Sequence, residues 1–159
     1  MLILVTGNIC VGKTTFLNNV CAPVFTSFSP ERDDILNSRD YYKIQLWNIH
    51  AMYACEQRAL TAHAEHPDES IYVDRGLESV YIFTELYHDL HLLTDVQYND
   101  IIQRLDSLPH TIYDKIIYMR GEPDDLYERM IKRDRHVDKW ITPDILHRLQ
   151  HLYDEHYMK

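Results

Sequence analysis

Short runs rich in β-branched residues alternate along this chain with longer stretches in which apolar residues recur every three or four positions. That alternation predicts an α/β fold, a parallel sheet whose strands are joined by crossover helices. Leu2 to Thr6 is a compact apolar run ending at Gly7, the pattern of a strand covered on both faces. Thr14 to Cys21 reads as the helix that follows, stopped by Pro23, and Val24 to Phe28 as a second strand. Residues 40–65 form a long helical pattern, with Ile44, Trp47, Ala51, Cys55 and Ala59 near one face. Ser70 to Asp74 reads as a third strand and Lys115 to Met119 as a fourth. Between them, Glu78 to Leu92 carries a stripe of Val80, Phe83, Tyr87 and Leu90, and Thr94 caps a helix running to about Leu105. Pro123-Asp124-Asp125 and Thr142-Pro143-Asp144 open two further helices, with proline at the start and acids in the first turn.

Composition narrows the class. A length of 159 residues suits a single domain spanning 1–159. The net charge of −9 argues against a polynucleotide as the main ligand, because such proteins carry a net basic face. No apolar run reaches the length of a membrane span, and Leu2 to Val5 is too short for a secretory core. The expected location is therefore intracellular, in the cytoplasm. Cys10, Cys21 and Cys55 have no metal-ligand or redox spacing and read as reduced packing residues. Paired histidines at helical spacing, such as His63 and His66, lack an H-E-x-x-H pattern, so no zinc site is expected.

Only 4 residues are glycine, well under the usual ~7%, so each position carries information. Gly7-Asn8-Ile9-Cys10-Val11-Gly12-Lys13-Thr14 matches G-x-x-x-x-G-K-[ST], between an apolar strand and a helical pattern. In such a loop the glycines let successive backbone N–H groups curl around phosphate oxygens. The next helix turns its positive end toward the same anion. Lys13 can bridge the outer phosphates, the Thr14 hydroxyl can ligate Mg²⁺, and Thr15 adds a phosphate contact. The sequence therefore predicts a nucleoside triphosphate ligand.

Three further groups fit a phosphoryl-transfer site. Asp74-Arg75-Gly76 ends the third strand, at the sheet edge where ligands bind in open α/β folds. An acid there can hold Mg²⁺ and an arginine can grip an acceptor oxygen. Arg129, Lys132, Arg133 and Arg135 crowd a helix end before a short polar turn, as in a lid that closes on the triphosphate. Glu31, Asp33 and Asp34 follow the second strand; any one could take a proton from an alcohol acceptor, or all could be solvated loop. By this reading all four glycines, Gly76 and Gly121 included, line the rim of one active site.

These segments together resemble the cellular and viral deoxynucleoside kinases, over almost the whole chain. Gly7 to Thr15 resembles the family's G-N-I-G-[SA]-G-K-T-T, and Asp74-Arg75-Gly76 with Ser79, Tyr81 and Phe83 resembles its E-R-S segment. Ile116 to Arg120, Tyr127 to Arg129 and Lys132 to Arg135 resemble its I-I-Y-L-R…Y-E-R…R-x-R lid, and Leu149 to Glu155 its final helix. The resemblance implies a three-layer P-loop kinase fold, here with four strands and the fifth missing. It implies that Glu31 is the general base, Gln45 pairs with the nucleobase, and Arg75 holds the 5′-oxygen. Asp74 would help hold magnesium, Arg133 and Arg135 would act from the lid, and Asp138 would lie near the sugar hydroxyl. It implies ATP and Mg²⁺, a deoxynucleoside substrate, and a homodimer formed through helices beside the sheet. The sequence departs from the family at Cys10, Val11, Asp74 and Gly76, and one residue is deleted between Ser79 and Tyr81. Two other classes fit the loop: a thymidylate-type monophosphate kinase, and a nucleotide-binding protein without transfer activity.

Overall fold

A computed structural model of the chain describes every residue except Phe28 and Pro30. Its four strands are β1 (Leu2–Gly7), β2 (Val24–Thr26), β3 (Ile71–Asp74) and β4 (Lys115–Met119). They form one parallel sheet in the order β2-β3-β1-β4. The helices are α1 (Lys13–Asn18), α2 (Glu31–Asn37), α3 (Tyr41–Glu65), α4 (Leu77–Asp89), α5 (Asp95–Asp106), α6 (Pro123–Arg133) and α7 (Pro143–Tyr157), with a 3₁₀ turn at His136–Asp138. All six residues of β1 are buried, as a central strand between two neighbours requires. Val5 pairs with Asp74 on one side and Ile117 on the other. The chain lays β2 and β3 on one side of β1 and then crosses to β4, so strand direction of travel reverses at β1. Ligand crevices in open parallel sheets form outside the carboxyl ends of the strands at that reversal.

Four apolar clusters hold the helices in place. Leu2, Leu4, Ile71 and Val73 meet Cys55 and Ala59 of α3 beneath the sheet. Ile49, Met52, Val80, Ile101 and Leu105 join α3, α4 and α5. Leu126, Met130 and Leu146 pin α6 and α7 against Val11 of the glycine loop. Ile82, Leu86, Leu149 and Tyr153 lock α4 to α7.

Several element ends differ from the sequence expectation. The first helix stops at Asn18 rather than Cys21, because the Asn19 side chain donates to the Thr15 carbonyl at 2.7 Å and competes with the helical ladder. The second strand ends at Thr26; Phe28, its expected last residue, lies outside the described residues. The fourth helix ends at Asp89, where His91 adopts φ 55 and the N–H groups of His91 and Leu92 return to His88 and Tyr87. Those two bonds make a Schellman closure without glycine. Glu31 to Asn37, where the pattern predicted no element, is a helix with Glu31, Asp33 and Asp34 in its first turn. Among the described residues β4 pairs only with β1, and its Ile116 is exposed. No helix of the described residues is long and apolar enough to cross a membrane.

Candidate active site

The loop between β1 and α1 is held rigidly from below. Gly7 has φ 142, and a Cβ there would lie 2.2 Å from the Met119 carbonyl oxygen, so β4 and the loop approach closely only with glycine. Gly12 also takes a positive φ, 104, as it turns the chain into α1. Cys10 shares the left-handed region at φ 60, and burial pushes its thiol pKa up. Asn8 is fully buried and faces away from the crevice: its amide donates to the Leu146 carbonyl at 3.1 Å and Gln150 Oε1 at 3.3 Å. Its Oδ1 accepts from the Ile9 N–H at 2.7 Å. The side chain therefore bolts the loop to α7.

Lys13 reaches back across this loop. Its ammonium donates to the carbonyls of Gly7 at 2.7 Å and Asn8 at 2.6 Å. Burial holds its pKa well below the usual lysine value, and the Arg75 charge adds to the effect, while Asp74 opposes it. An ammonium in that setting gains from any anion brought beside it.

A crevice of about 480 Å³ opens above the loop. Ile9, Cys10, Val11, Gly12, Lys13, Thr14 and Thr15 line its floor, with Asp74 and Arg75 at one wall and Arg129, Arg133, Arg135 and Asp138 at another. Gln45 borders it from α3. Phe83, Tyr87 and Trp140 form an aromatic side, with Tyr87 and Trp140 centroids 6.0 Å apart and Phe83 and Tyr87 5.9 Å apart. Together these rings give one aromatic wall against which a flat base can lie. Arg75 stands at φ 62, its guanidinium carbon 5.8 Å from the Phe83 ring centre. Its N–H donates to the Val5 carbonyl at 3.0 Å, which fixes the turn at the end of β3.

The basic residues after α6 are tied down. Asp134 closes α6 in the left-handed region at φ 48. Arg133 pairs with Asp138, and Arg135 donates to Asp33 of α2 at 2.8 Å. The segment beyond α6 is thereby strapped across the crevice mouth to α2.

The structure brings together most of the residues singled out in the sequence, but Gly7, Asn8, Glu31, Asp33, Asp34, Lys132, Gly76 and Gly121 do not line the crevice. Gly7 and Asn8 support the crevice from beneath. Glu31 is exposed and outside the lining; a hydrogen bond from the Ser29 side chain holds its pKa below the usual range. Pro30, which precedes it, lies outside the described residues. Gln45 borders the crevice with its amide already engaged. Its Nε2 donates to the Val80 carbonyl at 3.0 Å and Thr84 Oγ1 at 2.7 Å, and its Oε1 accepts from Asn48 at 2.9 Å.

Gly76 and Gly121 correct the expectation that every glycine lines the rim, since neither lines the crevice. A Cβ on Gly76 would sit 2.5 Å from both Glu56 Oε1 and Glu78 Oε2, and one on Gly121 2.9 Å from Leu126. Both glycines answer to packing instead. The sequence reading missed Arg32, Asn48 and Trp140, all crevice-lining. Arg32 carried a signal, standing beside acids already flagged.

Magnesium can be tested against the donor set. Asp74 Oδ1 is buried without a hydrogen-bond partner in the crevice wall, and Thr14 lies on the floor. A carboxylate and a hydroxyl facing a phosphate loop fit Mg²⁺, which keeps waters and phosphate oxygens as its remaining ligands. Among the described residues no group of three or more His, Cys, Asp or Glu side chains is placed to hold a metal by itself.

Comparison with known proteins shows which chains this one is similar to. The deoxynucleoside kinase family model matches residues 3–159. A probable deoxycytidine kinase of fowlpox virus is 26% identical over 163 residues, covering 96% of this chain and 68% of its own. Human mitochondrial thymidine kinase 2 is 26% identical over 170 residues, covering 99% of this chain and 64% of its own. The chain thus spans about two thirds of the length of these curated relatives. Among solved structures, deoxyadenosine kinase from M. mycoides with the products dCMP and a flexible dCDP superposes with a TM-score of 0.83 at 22% identity. That match covers 99% of this chain and 84% of the other. The same enzyme with bound dATP gives 0.81 at 22% identity, covering 100% and 84%.

Proposed function

The chain belongs to the deoxynucleoside kinase family, and on that premise we propose that it transfers the γ-phosphate of ATP to the 5′-hydroxyl of a deoxynucleoside. The observation that carries this reading is the buried Lys13 ammonium, facing one crevice shared with Asp74, Arg75 and an aromatic wall. Lys13 and the loop N–H groups hold the donor phosphates. Arg129, Arg133 and Arg135 offset the charge that builds on the moving phosphoryl group. Arg75 orients the 5′-oxygen, and the wall of Phe83, Tyr87 and Trp140 packs against the base. Asp138 reaches the sugar, and Gln45 with Asn48 bounds the far end of the base site. Mg²⁺, held by Asp74 and Thr14, would neutralise charge between the outer phosphates. Most of the rate then comes from positioning and fixed charge.

The hydroxyl must lose its proton. Glu31 is the carboxylate we assign to take it, and α2 swings inward to deliver it when the acceptor enters. The Asp33–Arg135 pair ties α2 to the segment beyond α6. Residues 1–159 act as one domain, and the protein works as a homodimer in the cytoplasm. Its three free thiols suit a reducing compartment.

The test is ADP release from ATP and Mg²⁺ with each of the four deoxynucleosides. Turnover on at least one is expected. Lys13→Ala should lower it by at least about a hundredfold, and Glu31→Gln by about a hundredfold. A folded protein inactive on all four would overturn the reading. Full activity in Glu31→Gln would remove Glu31 from it.

A further inference from the structure

The crevice lining carries one arginine that the transfer to a neutral acceptor leaves without a role. Arg32, in the first turn of α2, lines the crevice with Arg75 and Arg135. Its guanidinium has no hydrogen-bond or ion-pair partner among the described residues, whereas Arg133 and Arg135 on the facing segment each have an aspartate. Burial, then the charges of Arg75 and Arg135, push its pKa down to about 10; Asp74 and Asp33 offset this only in part. Three guanidiniums lining one crevice, that of Arg32 without a carboxylate partner, can receive a dianion.

The carboxylates of α2 are disposed the opposite way. Glu31 and Asp34 are absent from the crevice lining, and Asp33 is engaged with Arg135. The charged side chain that α2 turns inward is therefore a cation, alongside the apolar Leu36. An alcohol acceptor needs a base at that point, while a phosphate acceptor needs none and gains from the cation.

We propose that the crevice takes deoxynucleoside 5′-monophosphates as a second class of acceptor, with Arg32 and Arg75 gripping the 5′-phosphate and Arg135 closing over it. The proposal rests on the reading of the site as an ATP-dependent deoxynucleoside kinase and extends its substrates. An oxygen of the 5′-phosphate attacks the γ-phosphorus as the bond from that phosphorus to the β–γ bridging oxygen breaks. ADP departs with the electron pair, and a deoxynucleoside diphosphate forms. The attacking oxygen is already deprotonated, so no proton changes place.

The experiment supplies the full chain with ATP, Mg²⁺ and each deoxynucleoside or its 5′-monophosphate, and separates the products by chromatography. The expected result is a diphosphate from at least one monophosphate. Arg32→Gln should lower kcat/KM for that monophosphate by about tenfold to a hundredfold, the loss of a charge-assisted contact. The monophosphate-to-nucleoside ratio should fall with it, and Arg32→Lys should recover part of both. Nucleoside turnover with no diphosphate from any monophosphate overturns the proposal and leaves the kinase reading standing. Equal losses on both acceptors in Arg32→Gln overturn it as well. No turnover with any acceptor overturns the kinase reading itself.

Discussion

Glu78 shows how one side chain can be legible in type and opaque in effect. Its place in the first turn of α4 is what a helix start favours. Yet burial raises its pKa to about 7, and the nearby Glu56 adds to the shift. Glu56 itself is buried, accepting from the Leu77 N–H at 2.9 Å, Tyr113 at 2.8 Å and Thr111 at 2.7 Å. The second carboxyl beside it has one buried oxygen without a partner. Folding therefore favours protonated Glu78. Its contribution to stability is fully present below the unfolded value of 4.5 and is lost as pH rises through about 7. The urea midpoint should fall between pH 5 and 8, and Glu78→Gln should flatten that slope. An unchanged slope in the variant would assign the pH dependence elsewhere. The sequence could not reveal this, because Glu56 and Glu78 meet only through the packing of α3 on α4. Gly7 is the opposite case: the loop motif alone marks it, and the Met119 carbonyl supplies the reason.

At the scale of elements, legibility followed the local signals. Thr94 caps α5 with a full capping box and Thr142 caps α7, both readable from residue type and spacing. The seven residues of α2 escaped, although proline followed by acids marks it much as it marks α6 and α7. It is short, and two of its residues are aspartates and one an asparagine, poor interior helix formers. What holds it is tertiary: the Asp33–Arg135 pair spans 102 positions of sequence. Both side chains are partly exposed, so the pair contributes under about 1 kcal/mol. Asp33→Asn should accordingly speed amide exchange in the His136–Asp138 turn by no more than about fivefold, with the rest of the protein protected as before. A much larger increase would mean that the strap is the main restraint on that turn.

For the whole molecule, parallel strands and crossover helices followed from pattern, but the order β2-β3-β1-β4 did not. Strand order depends on pairings between distant segments that no local periodicity encodes. The order matters because it gathers the ends of β1 and β3 at one crevice, and with them charge of one sign. Six cationic and two acidic side chains line it, in a chain whose net charge is −9. An acidic exterior around a basic cleft focuses anions into the cleft and discourages long polyanions. Raising salt from about 0.1 to 1 M shortens the screening length from about 10 to 3 Å, so the KM for ATP should rise several-fold while the KM for an uncharged nucleoside moves little. Equal shifts for both would show that salt acts on the fold rather than on the cleft.

The hydrogen bonds from Lys13 to its own loop have a consequence for the solution around the protein. An ammonium whose charge is disfavoured by burial and by Arg75 becomes favoured once triphosphate oxygens lie against it. ATP binding must then draw protons from the buffer at alkaline pH. Titration calorimetry in two buffers of different ionisation enthalpy should give different apparent heats, and Lys13→Ala should make them converge. The donor would thus arrive with a hydrogen ion as an obligate companion, and the chain's affinity for it would fall as the medium turns basic.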